Sequence, residues 1–125
     1  MFDVAQGWGD EPPFRVPVFV LTHRDQEKLE KDGGTSFTFV SDGIESALEQ
    51  ARAAAGDKDV SVAGGADTIQ QFLKAGHLDE IQLHVAPLLL GAGVPLFGEL
   101  GTELELECTR VIESDAVTHL RFRFR

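Results

Sequence analysis

Cysteine is nearly absent from this chain. The single Cys108 among 125 residues cannot close an internal disulfide, and no Cys/His cluster has the spacing of metal ligands, so a metal site is not expected. Basic residues are also scarce: 11 Lys and Arg stand against 21 Asp and Glu, a formal net charge of −10. That balance argues against a nucleic-acid partner, whose phosphate backbone calls for the opposite sign on the contacting face. Any anionic ligand must be held by local donors against the overall field. No apolar run approaches a membrane span, and the first residues lack the basic-then-apolar pattern of a secretory signal. Repeats and low-complexity tracts are missing too. These absences leave one domain's length of ordinary globular composition, 42% hydrophobic and 26% charged, expected in a reducing cytoplasm.

What is present centres on Asp59 to Leu73. Val60-Ser61-Val62-Ala63 reads as a short strand, expected deep in a sheet. It breaks at Gly64-Gly65 and resumes at helical spacing with Ile69, Phe72 and Leu73 on one face. Glycines permit backbone angles closed to other residues and let a ligand approach the main chain. The free N–H groups and positive dipole end of the following helix favour a phosphate. A tight strand-to-helix turn that binds nothing is the competing reading. No Gly-Lys-Ser/Thr follows, and the spacing is not G-x-G-x-x-G.

Before this stretch, Met1 to Pro17 carries loop chemistry in Gly7-Trp8-Gly9 and Glu11-Pro12-Pro13. Val16-Pro17-Val18-Phe19-Val20-Leu21 is a near-continuous apolar run of the kind buried on both sheet faces, with Pro17 at its start. Asp25 to Ser36 reads as a polar loop and Phe37-Thr38-Phe39-Val40 as a second strand. Asp42-Gly43-Ile44-Glu45 has capping-box spacing. Behind it Ile44, Leu48, Ala51 and Ala55 form one helical face, with Glu45, Glu49 and Arg52 opposite, until Gly56 stops the helix. After the glycine turn, Glu80 to Pro87 alternates as another strand. Strand, helix, strand, helix, strand implies parallel neighbours joined by right-handed crossovers.

The remainder changes style. Leu88-Leu89-Leu90 leads into Gly91-Ala92-Gly93-Val94-Pro95-Leu96-Phe97-Gly98, a glycine-rich loop with an apolar plug. Leu104, Leu106 and Cys108 then alternate with glutamates, and Leu120, Phe122 and Phe124 with arginines. An antiparallel hairpin about Glu113-Ser114-Asp115 follows, apolar on one face and charge-paired on the other. Pairing 108 with 120 sets Glu105 and Glu107 opposite Arg123 and Arg121. The Arg-Phe-Arg-Phe-Arg ending is thereby half of a hairpin rather than an RNA-binding stretch.

With these pieces placed, the sequence resembles the reductase domain of the riboflavin-biosynthesis deaminase-reductase, in the dihydrofolate-reductase-like superfamily. The residues that carry the resemblance are Val16 to His23, Val62-Ala63-Gly64-Gly65-Ala66, Leu78 to Pro87 and Leu88 to Phe97, together covering essentially the whole chain. The resemblance implies an α/β fold, a mixed sheet flanked by helices with a parallel core and a C-terminal antiparallel hairpin. It implies NADPH as cofactor, its pyrophosphate on Gly64, Gly65, Ala66 and Thr68 and its 2′-phosphate on Thr22, His23 and Arg24. A hydroxyl, an imidazole and a guanidinium are the donors a phosphate monoester needs. Asp67 departs from the pattern with an anion near the phosphates, or complements the helix dipole.

Family domains usually begin with a further strand, substrate loop, helix and strand. This chain starts about where those end. Residues 1–125 therefore read as one domain, the C-terminal two-thirds of the family's, and as a poor reductase by themselves. The implied activity is hydride transfer from NADPH to a small heterocycle of pyrimidine or pterin type, in a homodimer. A non-catalytic nucleotide-binding or dimerising remnant is the alternative. His77, His84 and His119 are scattered and read as structural, and no catalytic residue is assigned.

Overall fold

A computed structural model of the chain describes residues 16–23, 27–31 and 34–125. The chain divides into a unit that ends at Thr68 and a unit from Ile69 to Arg125.

The first unit is built on a three-stranded sheet of β1 (Pro17–Leu21), β3 (Ser36–Val40) and β2 (Leu29–Glu30), in the order β1-β3-β2. β1 and β3 run parallel with Val18 opposite Phe37 and Val20 opposite Phe39. The Thr22 N–H extends the ladder by donating to the Val40 carbonyl at 3.0 Å. β1 begins at Pro17 as expected, but it is half-buried rather than enclosed on both faces. β2 falls inside the stretch read as polar loop. Two residues of strand are too short to leave a periodic trace.

The helix α1 (Ile44–Ala55) packs against β1. Its buried Ala47 and Leu48 join Phe37, Val40 and the fully enclosed Thr35 among the most deeply buried residues of this unit. The polar face is the expected one, and Gly56 ends the helix with φ +66° and an N–H bond to the Arg52 carbonyl. The start differs. Gly43, at φ +98°, is the N-cap and no side chain caps it; its carbonyl accepts the first helical bond, from Ala47. Asp42 stands one position too early to close a capping box.

Val60 to Ala63 was expected as a buried strand and joins neither sheet. Val60 is 37% exposed, and of these four residues Val62 alone is half-buried. A strand exists by pairing, and an apolar run with no ladder partner stays an extended connection.

The second sheet has the order β4-β6-β5, from β4 (Glu80–Val85), β5 (Leu106–Glu113) and β6 (Thr118–Phe124). Both pairings are antiparallel, so β4 is not a parallel neighbour of the earlier strands. The hairpin forms, but Cys108 faces Phe122 rather than Leu120, and Glu107 faces Arg123. A bulge between Cys108 and Arg110 adds one residue to β5. One face carries Ile81, Phe122 and Cys108 in one row, then Leu83, Leu120 and Val111. The opposite face carries Glu80, Arg123 and Glu107, then Gln82, Arg121 and Arg110, then His84, His119 and Ile112.

Candidate cofactor site

The glycine turn is built by one short stretch. Gly64 has φ +136°, a conformation that side chains rarely adopt, and the Gly64–Gly65 peptide is cis. Gly65 has no such φ, and a Cβ built there meets no atom within 4 Å. Neither backbone conformation nor packing therefore demands glycine at position 65. The space in front of it is what a bound group close to the main chain would require.

The helix α2 (Ala66–Lys74) opens directly after the turn, so Ala66, Asp67 and Thr68 form its first turn. The first N–H groups of an α-helix have no intrahelical acceptor and carry the positive end of its dipole. Asp67 is exposed in that turn, where its carboxylate complements the dipole. Phe72 and Leu73 are buried, which anchors the helix by its far end and leaves its start accessible. The Gln70 side-chain amide donates to the Pro95 and Leu96 carbonyls at 3.2 and 3.1 Å, tying the glycine-rich loop to the helix. A Cβ at Gly98 would lie 3.0 Å from Gln70 Oε1, so glycine there lets the loop pass beneath the amide. Sequence reading missed Gln70, because its role depends on a loop some 25 residues away.

Thr22 and His23 follow β1 directly, Thr22 half-buried and His23 exposed. Arg24 lies outside the described residues. The structure thus gathers Gly64, Gly65, Ala66 and Thr68 in one turn, and Thr22 and His23 at one strand end. The histidines read as scattered separate into two kinds. His77 bonds through its N–H to the Phe72 carbonyl and sets its ring edge-on to Phe72 at 6.3 Å, a structural role. His84 and His119 are instead cross-strand partners, Nδ1 to Nδ1 2.7 Å apart. That pair was invisible before the β4–β6 neighbour relation was known. Among the described residues no group of three or more His, Cys, Asp or Glu could hold a metal ion, and no helix is long and apolar enough to cross a membrane.

Comparison with known proteins agrees with this architecture. Residues 9–120 match the model of the RibD C-terminal domain. Two uncharacterised Bacillus subtilis proteins are similar: YwjB, 35% identical over 69 residues, and YyaP, 33% identical over 114 residues. The matches take in 55% and 86% of this chain but 39% and 60% of those proteins, so the chain spans less than two thirds of their lengths. A Shewanella sp. PV-4 protein assigned to riboflavin biosynthesis superposes with a TM-score of 0.78 at 27% identity, over 99% of this chain and 69% of its own. A pyrimidine reductase-like protein of Corynebacterium diphtheriae shares the fold at a TM-score of 0.56 and 22% identity, over 73% of this chain and 39% of its own.

Proposed function

The chain belongs to the RibD C-terminal domain family, and from that premise we propose that it is an NADPH-dependent reductase of a small pyrimidine- or pterin-like heterocycle. The observation that carries the reading is the turn at Gly65, a glycine with no local need to be one, opening onto the N-terminal, positive dipole end of α2. Gly64, Gly65, Ala66 and Thr68 would hold the cofactor's pyrophosphate through main-chain N–H groups and the Thr68 hydroxyl. Thr22 and His23, with Arg24 beyond them, would hold the 2′-phosphate and favour NADPH over NADH. Bound there, the cofactor supplies a hydride from its nicotinamide ring; the chain supplies binding and orientation. Such chemistry suits a cytoplasmic protein.

Titration of both cofactors by calorimetry or fluorescence tests the assignment. NADPH should bind more tightly than NADH. Gly65→Val should abolish binding with the circular dichroism unchanged, since the added side chain meets solvent rather than protein. Equal affinities for the two cofactors would remove the 2′-phosphate role, and unchanged binding by Gly65→Val would remove the turn. Tight binding without NADPH oxidation across a heterocycle panel would favour the non-catalytic alternative.

The proposal includes a homodimer. Leu88, Leu89, Leu90 and Val94 are between 68% and 97% exposed, a larger contiguous apolar surface than single exposed residues account for. Sedimentation at high micromolar concentration should show a dimer, and a monomer there would refute it.

A further inference from the structure

On the charged face of the β4-β6-β5 sheet, the row Gln82, Arg121, Arg110 sets two arginines directly opposite each other on neighbouring strands. Like charges so placed oppose sheet formation. Each arginine of such a pair would normally be neutralised. Arg123, one row away, is: its guanidinium donates to Glu107 at 2.7 Å. Arg121 reaches Glu80 diagonally at 2.9 Å through one terminal nitrogen, while its buried Nε has no hydrogen-bond partner. Arg110 forms no ion pair among the described residues. The next row adds the His84–His119 pair, in which one Nδ1 donates to the other, leaving the outer Nε2 atoms of both rings facing away from the shared bond. An open depression of about 360 Å³, largely apolar in its lining, lies over the two rows, formed by Gln82, His84, Arg110, Ile112, His119, Leu120 and Arg121.

An uncompensated cation beside a second, half-satisfied one is an odd thing to find in a chain of net charge −10. Sheet stability does not explain it, because replacing either arginine by a neutral residue would remove the repulsion. A bound anion accounts for the opposed cations. It would neutralise Arg110 and take further hydrogen bonds from the outer nitrogens of Arg121, the imidazoles and the Gln82 amide. The donors come from three strands and line an open depression, an arrangement that suits a tetrahedral oxyanion with three or four acceptor oxygens better than a flat carboxylate. A transition metal would be repelled by the two guanidinium groups, and the Nδ1 atoms are already occupied with each other.

We propose that this face binds a phosphate group, free or as the monoester of a small metabolite, through Arg110, Arg121, His84 and His119. The site uses none of the residues of the cofactor turn and is tested with no cofactor present, so it stands or fails separately from the reductase reading.

The experiment is calorimetric titration of the whole chain with inorganic phosphate and, in parallel, with ribose 5-phosphate, in a phosphate-free buffer. Saturable binding is expected, weakened about tenfold or more in Arg110→Gln. His84→Gln should weaken it less, and Arg123→Gln, whose guanidinium is already paired, should leave it near the parent value. Circular dichroism of each variant checks that the fold persists, and the exposed Arg110 carries no structural contact through its side chain. Tighter binding of the sugar phosphate identifies a metabolite as the source; equal binding identifies phosphate alone. Absence of saturable heat from both ligands overturns the proposal. Equal losses in Arg110→Gln and Arg123→Gln also overturn it, since the attraction would then be general to the surface. So does Arg110→Gln changing self-association while phosphate binding stays as in the parent, because the face would then be an interface.

Discussion

The two sheets are held together by different means. In the first unit, β1 of the parallel pair β1–β3 packs against α1, and Phe37 and Thr35 are enclosed to 0% and 1% exposure. In the second, no residue of β4, β5 or β6 is fully buried. Its longer strands are joined by two antiparallel ladders, by Arg123–Glu107 and Arg121–Glu80, and by a turn in which the Ser114 N–H and hydroxyl both donate to the Val117 carbonyl. The contrast follows from hydrogen-bond geometry. A parallel pair needs cover on its faces, whereas an antiparallel sheet can leave one face in water and rely on cross-strand neighbours. One sheet therefore concentrates its stability in a few side chains, and the other spreads it along backbone.

The sharpest test of that contrast is truncation of one phenylalanine in each sheet. Phe37→Ala should cost about 3–5 kcal/mol, the usual range for a buried aromatic, because its enclosure leaves a cavity. Phe122→Ala, half-buried on β6, should cost clearly less. Urea denaturation read by amide hydrogen exchange resolves the two units separately. If the two losses are equal, the division into a buried and a spread sheet is wrong.

A smaller effect is expected from the charged face. The Arg123 guanidinium, by its hydrogen bond and then its charge, holds the Glu107 carboxyl below the usual carboxylate value of 4.5. A carboxyl depressed in the folded state contributes its stability above the unfolded value and loses it as pH falls through the lower folded value. The parent should therefore lose more stability on acidification below about pH 4.5 than Glu107→Gln does. Glu107 is half-buried and Arg123 exposed, and water still reaches the pair, so the difference should be small and should shrink further in salt. Melting temperatures at pH 7 and pH 3 for both proteins check it; parallel curves would mean the pair adds nothing.

Much of the first unit was legible in the residues. Ile44, Leu48, Ala51 and Ala55 mark one face of α1 because helical spacing is a local property. β1 and β3 declare themselves by composition; in the second unit α2 does so by the apolar set Ile69, Phe72 and Leu73. The hairpin was legible as a hairpin but not in its register. Side chains alternate with a period of two, so a slip of two residues keeps every side chain on its face, and Cys108 opposite Leu120 looks the same as Cys108 opposite Phe122. What decides between them is the bulge before Arg110 and the tight Ser114–Val117 turn, neither of which alternation encodes. Val60 to Ala63 failed for the converse reason. Its composition is that of a strand, but being a strand depends on a neighbour. In the candidate site, the glycine turn was readable from spacing, Gln70 and the His84–His119 pair were not, and both omissions are contacts between distant segments.

The order β4-β6-β5 sets a schedule for the nascent chain. β4 and β5 share no ladder with each other; each pairs with β6, which is later in the chain than both. While the ribosome is still adding the residues up to Phe124, the edge groups of β4 have no partner in their own sheet, and at ordinary rates of synthesis that interval lasts some seconds. β1 and β3, close together in sequence, can meet long before. In the first sheet the middle strand, β3, also comes last of its three, but it follows β1 after a short connection, so that sheet can close early in translation while the second waits for β6.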